Sequence, residues 1–164
     1  MLKDILKENL DVVFCGTAKG KISVEKGFYY AGSGNKFYAI LHDAGFTPKR
    51  LQPQDCYSIN DYNIGLTDLV HTESGNDNEI SKESYDVELF IKKMIHFKPK
   101  YIAFTSKAAA SFALGFQGVT SLINYGLQKN QIENSKVFVL PSTSGSARKF
   151  WDEKYWIELK SLIK

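Results

Sequence analysis

Three short, almost entirely apolar segments stand out along the chain, and each is bounded by glycine, proline or polar residues. They lie at Asp11–Cys15, Tyr101–Thr105 and Val137–Leu140. Segments of this length that are rich in β-branched and aromatic residues are typical of strands covered on both faces. The pattern therefore predicts a parallel sheet in the interior of the protein.

Longer segments with apolar residues at helical spacing lie between and after these strands. The spacing predicts helices at Asn35–Ala44, Ser81–Phe97, Lys107–Leu114 and Trp151–Ile163. Ser81 is predicted to be the N-cap of the longest of them. The glycine-bearing stretch of residues 16–34 is predicted to be a loop, and residues 50–69 are predicted to be irregular.

Strands that alternate with helices indicate an α/β protein, here a three-layer α/β/α sandwich with a central, mostly parallel sheet. The length of 164 residues suggests one domain that spans residues 1–164. No window approaches the roughly 20 consecutive apolar residues of a membrane span, and the first residues lack the core of a signal peptide. We expect a cytoplasmic monomer with no membrane partner.

Composition limits the partners, metals and cofactors that we expect the protein to bind. With 21 basic and 18 acidic residues, the net charge of +3 permits a polyanionic partner without requiring one. Cys15 lies in an apolar run and is interpreted as a buried thiol, and Cys56 has no CxxC partner. The three histidines are far apart in the sequence. We therefore expect neither a metal site nor a cofactor.

The stretch from Lys19 to Lys36 carries four lysines against one acid, with Phe28, Tyr29 and Tyr30 among them. Basic side chains with stackable rings suit a nucleic-acid surface, because they supply charge for phosphates and flat faces for unstacked bases. A solvated, lysine-bearing loop over the edge of the core is the alternative, and composition alone favours it.

Functional loops in sheets of this kind lie beyond the carboxyl ends of the strands. This rule selects residues 16–20, 105–107 and 141–148, which should meet at one edge of the sheet. The first loop is similar to a phosphate-binding P-loop, but its glycines are separated by three residues rather than four, and isoleucine follows its lysine. Gly27 also argues against an immediate helix. Nucleotide binding is therefore a minor alternative.

A series of short motifs, in order along the chain, resembles the mismatch-specific uracil/thymine-DNA glycosylase family of the uracil-DNA glycosylase superfamily. The resemblance covers nearly the whole chain, with its main gap between residues 115 and 136. The motifs are Val12-Val13-Phe14-Cys15-Gly16-x-x-x-Gly20, Gly27-Phe28-x-Tyr30-Ala31-x-x-x-Asn35-x-Phe37, Ala44-Gly45-Phe46-Thr47, Leu51-x-Pro53-Gln54, Asp61-Tyr62, Gly65-x-Thr67-x-Leu69-Val70, Ser81-Lys82 and Val139-Leu140-Pro141-x-x-Ser144-Gly145-x-x-Arg148.

The resemblance implies an enzyme that extrudes a damaged or mismatched nucleotide from duplex DNA into a pocket. The N-glycosidic bond is then hydrolysed through an oxocarbenium-like sugar, and the base leaves as an anion. No lysine is clearly placed for a Schiff base, so a monofunctional glycosylase without lyase activity is expected. Its substrate would be double-stranded DNA containing uracil or a related base, and no cofactor is implied.

By position, the resemblance implies that Tyr30 stacks on the extruded base, the alternative being an aromatic of the core or its rim. The other residues implied to line the base pocket are Gly16, Gly20, Ser23, Asn35 and Ser142. The residues implied to contact DNA are Lys19, Lys107, Thr143, Ser144, Gly145, Ser146 and Arg148. For Arg148, a solvated position at a helix N-terminus is the alternative.

The chain departs from the family pattern where the chemistry is expected. Ala18 stands at the position of the family's asparagine, which holds the attacking water, and a methyl group cannot orient water. In the second motif Ser142-Thr143 replaces Asn-Pro, and Ser146 replaces a bulky wedge residue. The broad-specificity b-type uracil-DNA glycosylases also carry alanine at the first position and are regarded as active.

Other residues near these motifs could supply the missing group. Asp68 lies in a segment that borders the pocket in this family, and its carboxylate could hold water or stabilise the sugar cation. The alternative for Asp68 is an exposed turn residue. Thr17 could hold water weakly, and Lys19 could steady the departing base or clamp a phosphate. The sequence thus predicts a DNA glycosylase of weakened activity, with an inactive DNA-lesion-binding protein as the alternative.

Overall fold

A five-stranded sheet with strand order β2–β1–β3–β5–β4 forms the centre of the computed structural model, which describes residues 2–163. The strands are β1 (Val12–Gly16), β2 (Ile64–Asp68), β3 (Tyr101–Phe104), β4 (Gly126–Leu127) and β5 (Lys136–Val139). All pairs are parallel except β4–β5. The carboxyl ends of β1, β2, β3 and β5 therefore share one edge of the sheet.

The helices are α1 (Lys21–Lys26), α2 (Phe37–Asp43), α3 (Val87–Phe97), α4 (Lys107–Ala113) and α5 (Lys154–Leu162). Short 3-10 helices lie at Pro53–Tyr62, Asp77–Glu79, Lys82–Ser84, Thr120–Leu122 and Gly145–Phe150. Among residues 2–163, none of the helices combines the length and apolar character that crossing a membrane requires.

Alternate strand residues face two separate apolar cores. Phe14 of β1 packs with Phe37 of α2 and Trp156 of α5 on one side of the sheet. On the other side, Val13 and Cys15 belong to the core that includes residues of α3 and α4. Since each face of the sheet is covered by helices, the predicted three-layer α/β/α class is confirmed.

The predicted strands and four helices are all present, with shifted ends. Two predictions were wrong: β2 lies in the stretch predicted to be irregular, and α1 lies in the stretch predicted to be a loop. β2 was missed because Gly65, Thr67 and Asp68 dilute its apolar character. Gly65 is nevertheless required: a Cβ there would lie 2.7 Å from Leu10 Cδ1 and 3.1 Å from the Ile5 carbonyl oxygen. The N-terminal segment thus packs closely against β2.

The second missed element is α1, which begins directly after Gly20. Gly27 does not prevent this helix; it ends it, as a C-cap in the left-handed conformation with φ of 80°. The helix has six residues, too few to show a clear apolar periodicity. The glycine spacing and the isoleucine after Lys21 still distinguish the loop from a P-loop.

The predicted N-cap of the long helix is also wrong. The helix starts at Val87, where the Asp86 side chain accepts a hydrogen bond from the Leu89 amide at 3.0 Å. The Ser81 hydroxyl instead donates to the Glu73 carboxylate. Extended backbone at Tyr85 separates the short 3-10 turn after Ser81 from the helix.

Candidate active-site cleft

A cleft of about 1020 Å³ opens at the carboxyl ends of the parallel strands. Its walls include residues from all three loops that the strand-end rule selects, at 16–20, 105–107 and 142–147, together with α1 and residues 75–78. A concave site of this size at the strand ends is where ligands bind in open α/β sheets. The predicted meeting of the three loops is confirmed.

The floor of the cleft is formed where β1, β2 and β3 end. Gly16 and Asp68 are partners in the register of β1 and β2. A Cβ built on Gly16 would lie 2.8 Å from Asp68 Oδ1, 3.4 Å from Thr105 Oγ1 and 4.0 Å from the Tyr30 hydroxyl oxygen. The absence of a side chain at Gly16 therefore lets three oxygen atoms gather at one point of the floor.

Asp68 is not the exposed turn residue that the sequence allowed. Its side chain is only 5% exposed, and Asp68 Oδ2 forms an ion pair with Lys19 Nζ at 3.0 Å. Lys19 is equally buried, and its ammonium lies 5.2 Å from the centre of the Tyr29 ring. Beyond the ion pair, neither Lys19 Nζ nor Asp68 Oδ2 has a hydrogen-bond partner among the described residues.

Burial sets the electrostatics of this pair. Desolvation raises the pKa of Asp68 above its ordinary value of 3.8, and the Lys19 ammonium opposes that rise. The carboxylate is thus largely shielded from solvent, next to the positive charge of Lys19. Without Lys19, the ionised form of Asp68 would be costly to maintain. Buried charged groups of this kind occur both at functional sites and in structural ion pairs.

This geometry does not fit the expected contact between Lys19 and DNA. Its ammonium is enclosed by the Asp68 carboxylate and the Tyr29 ring, so it is not presented to a phosphate. The sequence could not show this, because Asp68 is separated from Lys19 by 49 positions (68 − 19) and lies on a strand that was not predicted.

Tyr30 lies at the rim of the cleft and is partly buried. Its ring stacks on Phe37 with 3.9 Å between the ring centres and an angle of 21° between the planes. Burial raises the pKa of Tyr30 well above its ordinary value, and the nearby Asp68 charge adds to the rise. Tyr30 therefore remains a neutral phenol, with part of its ring lining the cleft.

The other first-motif residues have different surroundings. Thr17 is buried and donates a hydrogen bond to Asp77 Oδ1 at 2.5 Å, so its hydroxyl proton is not free to hold water. Ala18 lines the cleft without a polar side-chain atom. Asp77 comes from a polar stretch far from any predicted strand end, and no sequence signal distinguished it.

Several predicted pocket residues build the walls through their hydrogen bonds. Ser23 Oγ accepts from the Ala31 amide at 3.1 Å, and Asn35 Oδ1 accepts from the Phe37 amide at 2.9 Å at the start of α2. Gly20 lines the cleft beside them. The two side chains thus fix the segment that carries Tyr30.

The hydroxyl-rich loop forms the opposite wall. Thr143 is buried, and its carbonyl oxygen accepts from the Lys36 amide at 2.9 Å. Its side chain is therefore not displayed for DNA, contrary to expectation. Ser142 Oγ accepts from the Ser144 amide at 3.1 Å, and Gly145 approaches the Gly34 backbone, where a Cβ on Gly145 would lie 3.5 Å from Gly34 Cα.

The remaining residues predicted to contact DNA lie around the cleft mouth. Ser146 and Arg148 are exposed, and Ser146 Oγ pairs with Ser144 Oγ at 2.8 Å. Lys107, at the start of α4, lines the cleft with its ammonium 4.5 Å from the centre of the Tyr125 ring. Thr105 lines the cleft within the predicted loop 105–107, and Tyr125 is a cleft residue that no sequence pattern indicated.

Replacing Gly16 by alanine should lower the free energy of unfolding by about 1–3 kcal/mol, because the new methyl group would collide with the fixed Asp68 carboxylate. Gly20→Ala is a matched control, since no atom lies within 4 Å of a Cβ at that position. Chemical denaturation of both variants measures the difference. Equal stability of the two variants would contradict the close approach at the cleft floor.

The fold also matches a known structure. The solution NMR structure of a "putative Uracil DNA glycosylase" from Methanosarcina acetivorans has a TM-score of 0.67 with this chain at 21% sequence identity. The match covers 99% of this chain and 94% of that one. Identity this low shows a common fold only. The sequence model described as the Uracil DNA glycosylase superfamily, however, matches residues 3–160, and the chain therefore belongs to that superfamily of DNA glycosylases.

Proposed function

We propose that the protein is a monofunctional DNA glycosylase that hydrolytically removes a deaminated or mismatched base, uracil or a close relative, from DNA. The observation that carries the proposal is the cleft floor, where a buried carboxylate and a stacked tyrosine ring meet beside Gly16. Within the superfamily, the order of the sequence motifs favours the mismatch-specific branch.

The cleft suits an extruded nucleotide. Its volume of about 1020 Å³ is at the upper end of the range of small-molecule sites. Tyr30, which is supported from below by Phe37, offers a rigid surface on which a base can stack. The backbone of residues 16–20 supplies amide groups for the oxygen atoms of the base, which become more negative as the glycosidic bond breaks.

Asp68 is the residue to which we assign the role of the missing asparagine. As the C1′–N bond breaks, its electron pair leaves with the base, and the sugar becomes an oxocarbenium ion. Water then adds to C1′ and gives up a proton to the Asp68 carboxylate, and the base anion takes up a proton from solvent. An ionised carboxylate near the sugar stabilises this cation and accepts a hydrogen bond from the water. The methyl group of Ala18 can do neither.

Lys19 acts through Asp68. Because Asp68 Oδ2 is paired with Lys19 Nζ, the other oxygen, Oδ1, faces the Gly16 side of the floor. The ammonium also favours the ionised carboxylate, against the effect of burial. Lys19 is therefore a positioning residue for Asp68, which replaces the earlier expectation of a DNA contact.

One observation favours a second candidate, a protein that binds DNA lesions without excising them. The Asp68 carboxylate is already engaged by an ammonium, and Ala18 offers no substitute for it. A pocket with this composition could hold an extruded base and leave the glycosidic bond intact.

Excess protein incubated with duplexes that contain U·G, hypoxanthine or ethenocytosine should generate abasic sites, which hot alkali converts to strand breaks. Tyr30→Ala should lower the single-turnover rate at least tenfold, since base–aromatic stacking contributes about 1–3 kcal/mol. Tyr30→Phe should retain the rate, because it keeps the ring that stacks on Phe37.

The two candidates predict different results in this assay. Tight mismatch binding with no abasic product over hours would support the lesion-binding protein. Strand breaks that persist unchanged in Tyr30→Ala would contradict the proposed base site, even if the protein is a glycosylase. Binding of mononucleotides without affinity for DNA would contradict both candidates.

A further inference from the structure

Phe150 is an exposed aromatic side chain at the mouth of the cleft. Its side chain is among the most exposed large apolar groups of the described residues, with 57% of its surface accessible. It also lines the cleft, at the end of the 3-10 helix Gly145–Phe150. The ring does not pack into either apolar core, so its exposure needs another explanation.

The backbone that carries Phe150 is firmly attached to the protein. The next residue, Trp151, is partly buried, and the centre of its ring lies 6.2 Å from the ring centre of the fully buried Trp156. The Trp151 amide donates to the Arg148 carbonyl oxygen at 3.2 Å. Phe150 thus projects from a segment that is held at its C-terminal end by the core.

Two positive charges directly precede this ring, and two acids, Asp152 and Glu153, follow it in the chain. Arg148 and Lys149 directly precede it and are exposed, and within residues 2–163 neither forms an ion pair. Lys149 Nζ lies 5.0 Å from the centre of the Phe150 ring. An apolar ring next to two unpaired cations suits a duplex, in which stacked bases lie between two rows of phosphates.

Among residues 2–163, Ile22 is the other exposed large apolar side chain that lines the cleft. Its neighbour Lys21, however, is paired with Glu79 at 2.9 Å. That acid neutralises the lysine and would repel a phosphate. The charge around the two side chains therefore favours Phe150 as the group that approaches DNA.

A nucleotide that leaves the duplex creates a gap in the base stack, and proteins that deform DNA fill such gaps with apolar side chains. Ser146, on the same 3-10 helix, is too short for this task, and its hydroxyl is bonded to Ser144. We propose that Phe150 is the wedge that enters the duplex while the extruded nucleotide occupies the cleft. The inference rests on the proposed function, because it assumes a flipped nucleotide.

The test compares wild type with Phe150→Ala, Phe150→Leu and the control Phe116→Ala. Phe116 is also an exposed phenylalanine, at 39%, but it lies outside the cleft lining. One probe is a U·G duplex with 2-aminopurine next to the uracil, whose fluorescence rises when the neighbouring base unstacks. The other probe is the same uracil strand without its complement, which needs no wedge because no base pair must be opened.

Wild type and Phe116→Ala should raise the fluorescence on binding the duplex, and Phe150→Ala should lose most of that rise. Excision from the duplex should fall about tenfold in Phe150→Ala, with excision from the single strand unchanged and Phe150→Leu close to wild type. An unchanged fluorescence rise in Phe150→Ala would overturn the wedge, and so would an equal loss of activity on both DNA forms.

The wedge and the glycosylase activity can be excluded independently of each other. If wild type produces no abasic sites but its fluorescence signal still depends on Phe150, the glycosylase proposal fails and the wedge is supported. If wild type excises uracil and Phe150→Ala behaves like wild type in both assays, the wedge fails and the glycosylase proposal stands. A wild-type protein that gives no fluorescence rise on the duplex also overturns the wedge.

Discussion

Asp68→Asn should lower the single-turnover rate of base excision about 10²–10³-fold, the usual effect of removing one group that stabilises charge in a transition state. The amide keeps the size of the side chain and removes its negative charge. It can no longer stabilise the cationic sugar or accept the proton of the attacking water. Quenched reactions with a U·G duplex and excess enzyme measure the effect.

Asp61→Asn is the matched control, since Asp61 is exposed and lies outside the cleft. Asp68→Asn also leaves the Lys19 ammonium buried without its partner, so the double variant Lys19→Met/Asp68→Asn is needed. With both charges removed, this variant should fold stably and remain as inactive as the single variant. Activity near the wild-type level in a folded Asp68 variant would exclude the proposed role of this carboxylate.

Lys19→Met should be the most destabilising of the substitutions considered, with a loss of about 3–5 kcal/mol in the free energy of unfolding at neutral pH. The methionine side chain carries no charge, so the buried Asp68 carboxylate is left without a counter-charge. Lys21→Met is the control, because Lys21 also forms an ion pair with an acid but at the surface. Surface pairs of that kind contribute little to stability.

The loss of stability in Lys19→Met should become smaller as pH is lowered. Burial already raises the folded-state pKa of Asp68 above 3.8, and without the ammonium this pKa rises further. Between the unfolded and folded pKa values the folded state binds more protons, so the free energy of unfolding falls as pH increases. The difference from wild type should therefore shrink as pH is lowered toward 3.8 and reach its full size above the folded pKa.

The higher pKa of Asp68 in Lys19→Met should also change the pH dependence of any residual activity. Since the proposed reaction needs ionised Asp68, the acidic limb of the pH–rate profile should move to higher pH in this variant. Denaturant titrations and rate measurements at several pH values test both effects. A destabilisation that does not vary with pH, together with an unmoved acidic limb, would show that Lys19 contributes packing alone.

The structure suggests how a glycosylase site can survive the loss of its motif asparagine. Ala18 follows the end of β1, whereas Asp68 is the last residue of β2. The two strands are neighbours, and Gly16 is the register partner of Asp68. Side chains from either strand end can therefore reach the same part of the cleft. In this account the polar group that acts on the sugar has moved from the first loop to the adjacent strand.

The sequence predicted the elements whose pattern is set by burial alone. β1, β3 and β5 are continuous apolar runs because helices cover both faces, and such runs are visible in the sequence. β2 was missed because its Gly65, Thr67 and Asp68 serve close packing and the site rather than apolar burial. β2, the strand that carries Asp68, thus had the weakest sequence pattern for a strand.

The candidate site was only partly predictable for the same reason. The strand-end rule located the three loops, since that rule depends on topology. It could not show that Lys19 turns inward to Asp68, that Thr17 is bonded to Asp77, or that Thr143 is buried. Each of these contacts joins segments distant in sequence and is fixed by tertiary packing.

The most direct test of the account is a crystal structure of the protein with a U·G duplex that carries a 2′-fluorinated deoxyuridine, whose electron-withdrawing fluorine slows cleavage. We expect the uracil to lie in the cleft with its ring on Tyr30, and the Asp68 carboxylate to face C1′ directly or through one water. A uracil that remains stacked in the duplex, or one that lies in the cleft with Asp68 remote from the sugar, would contradict it.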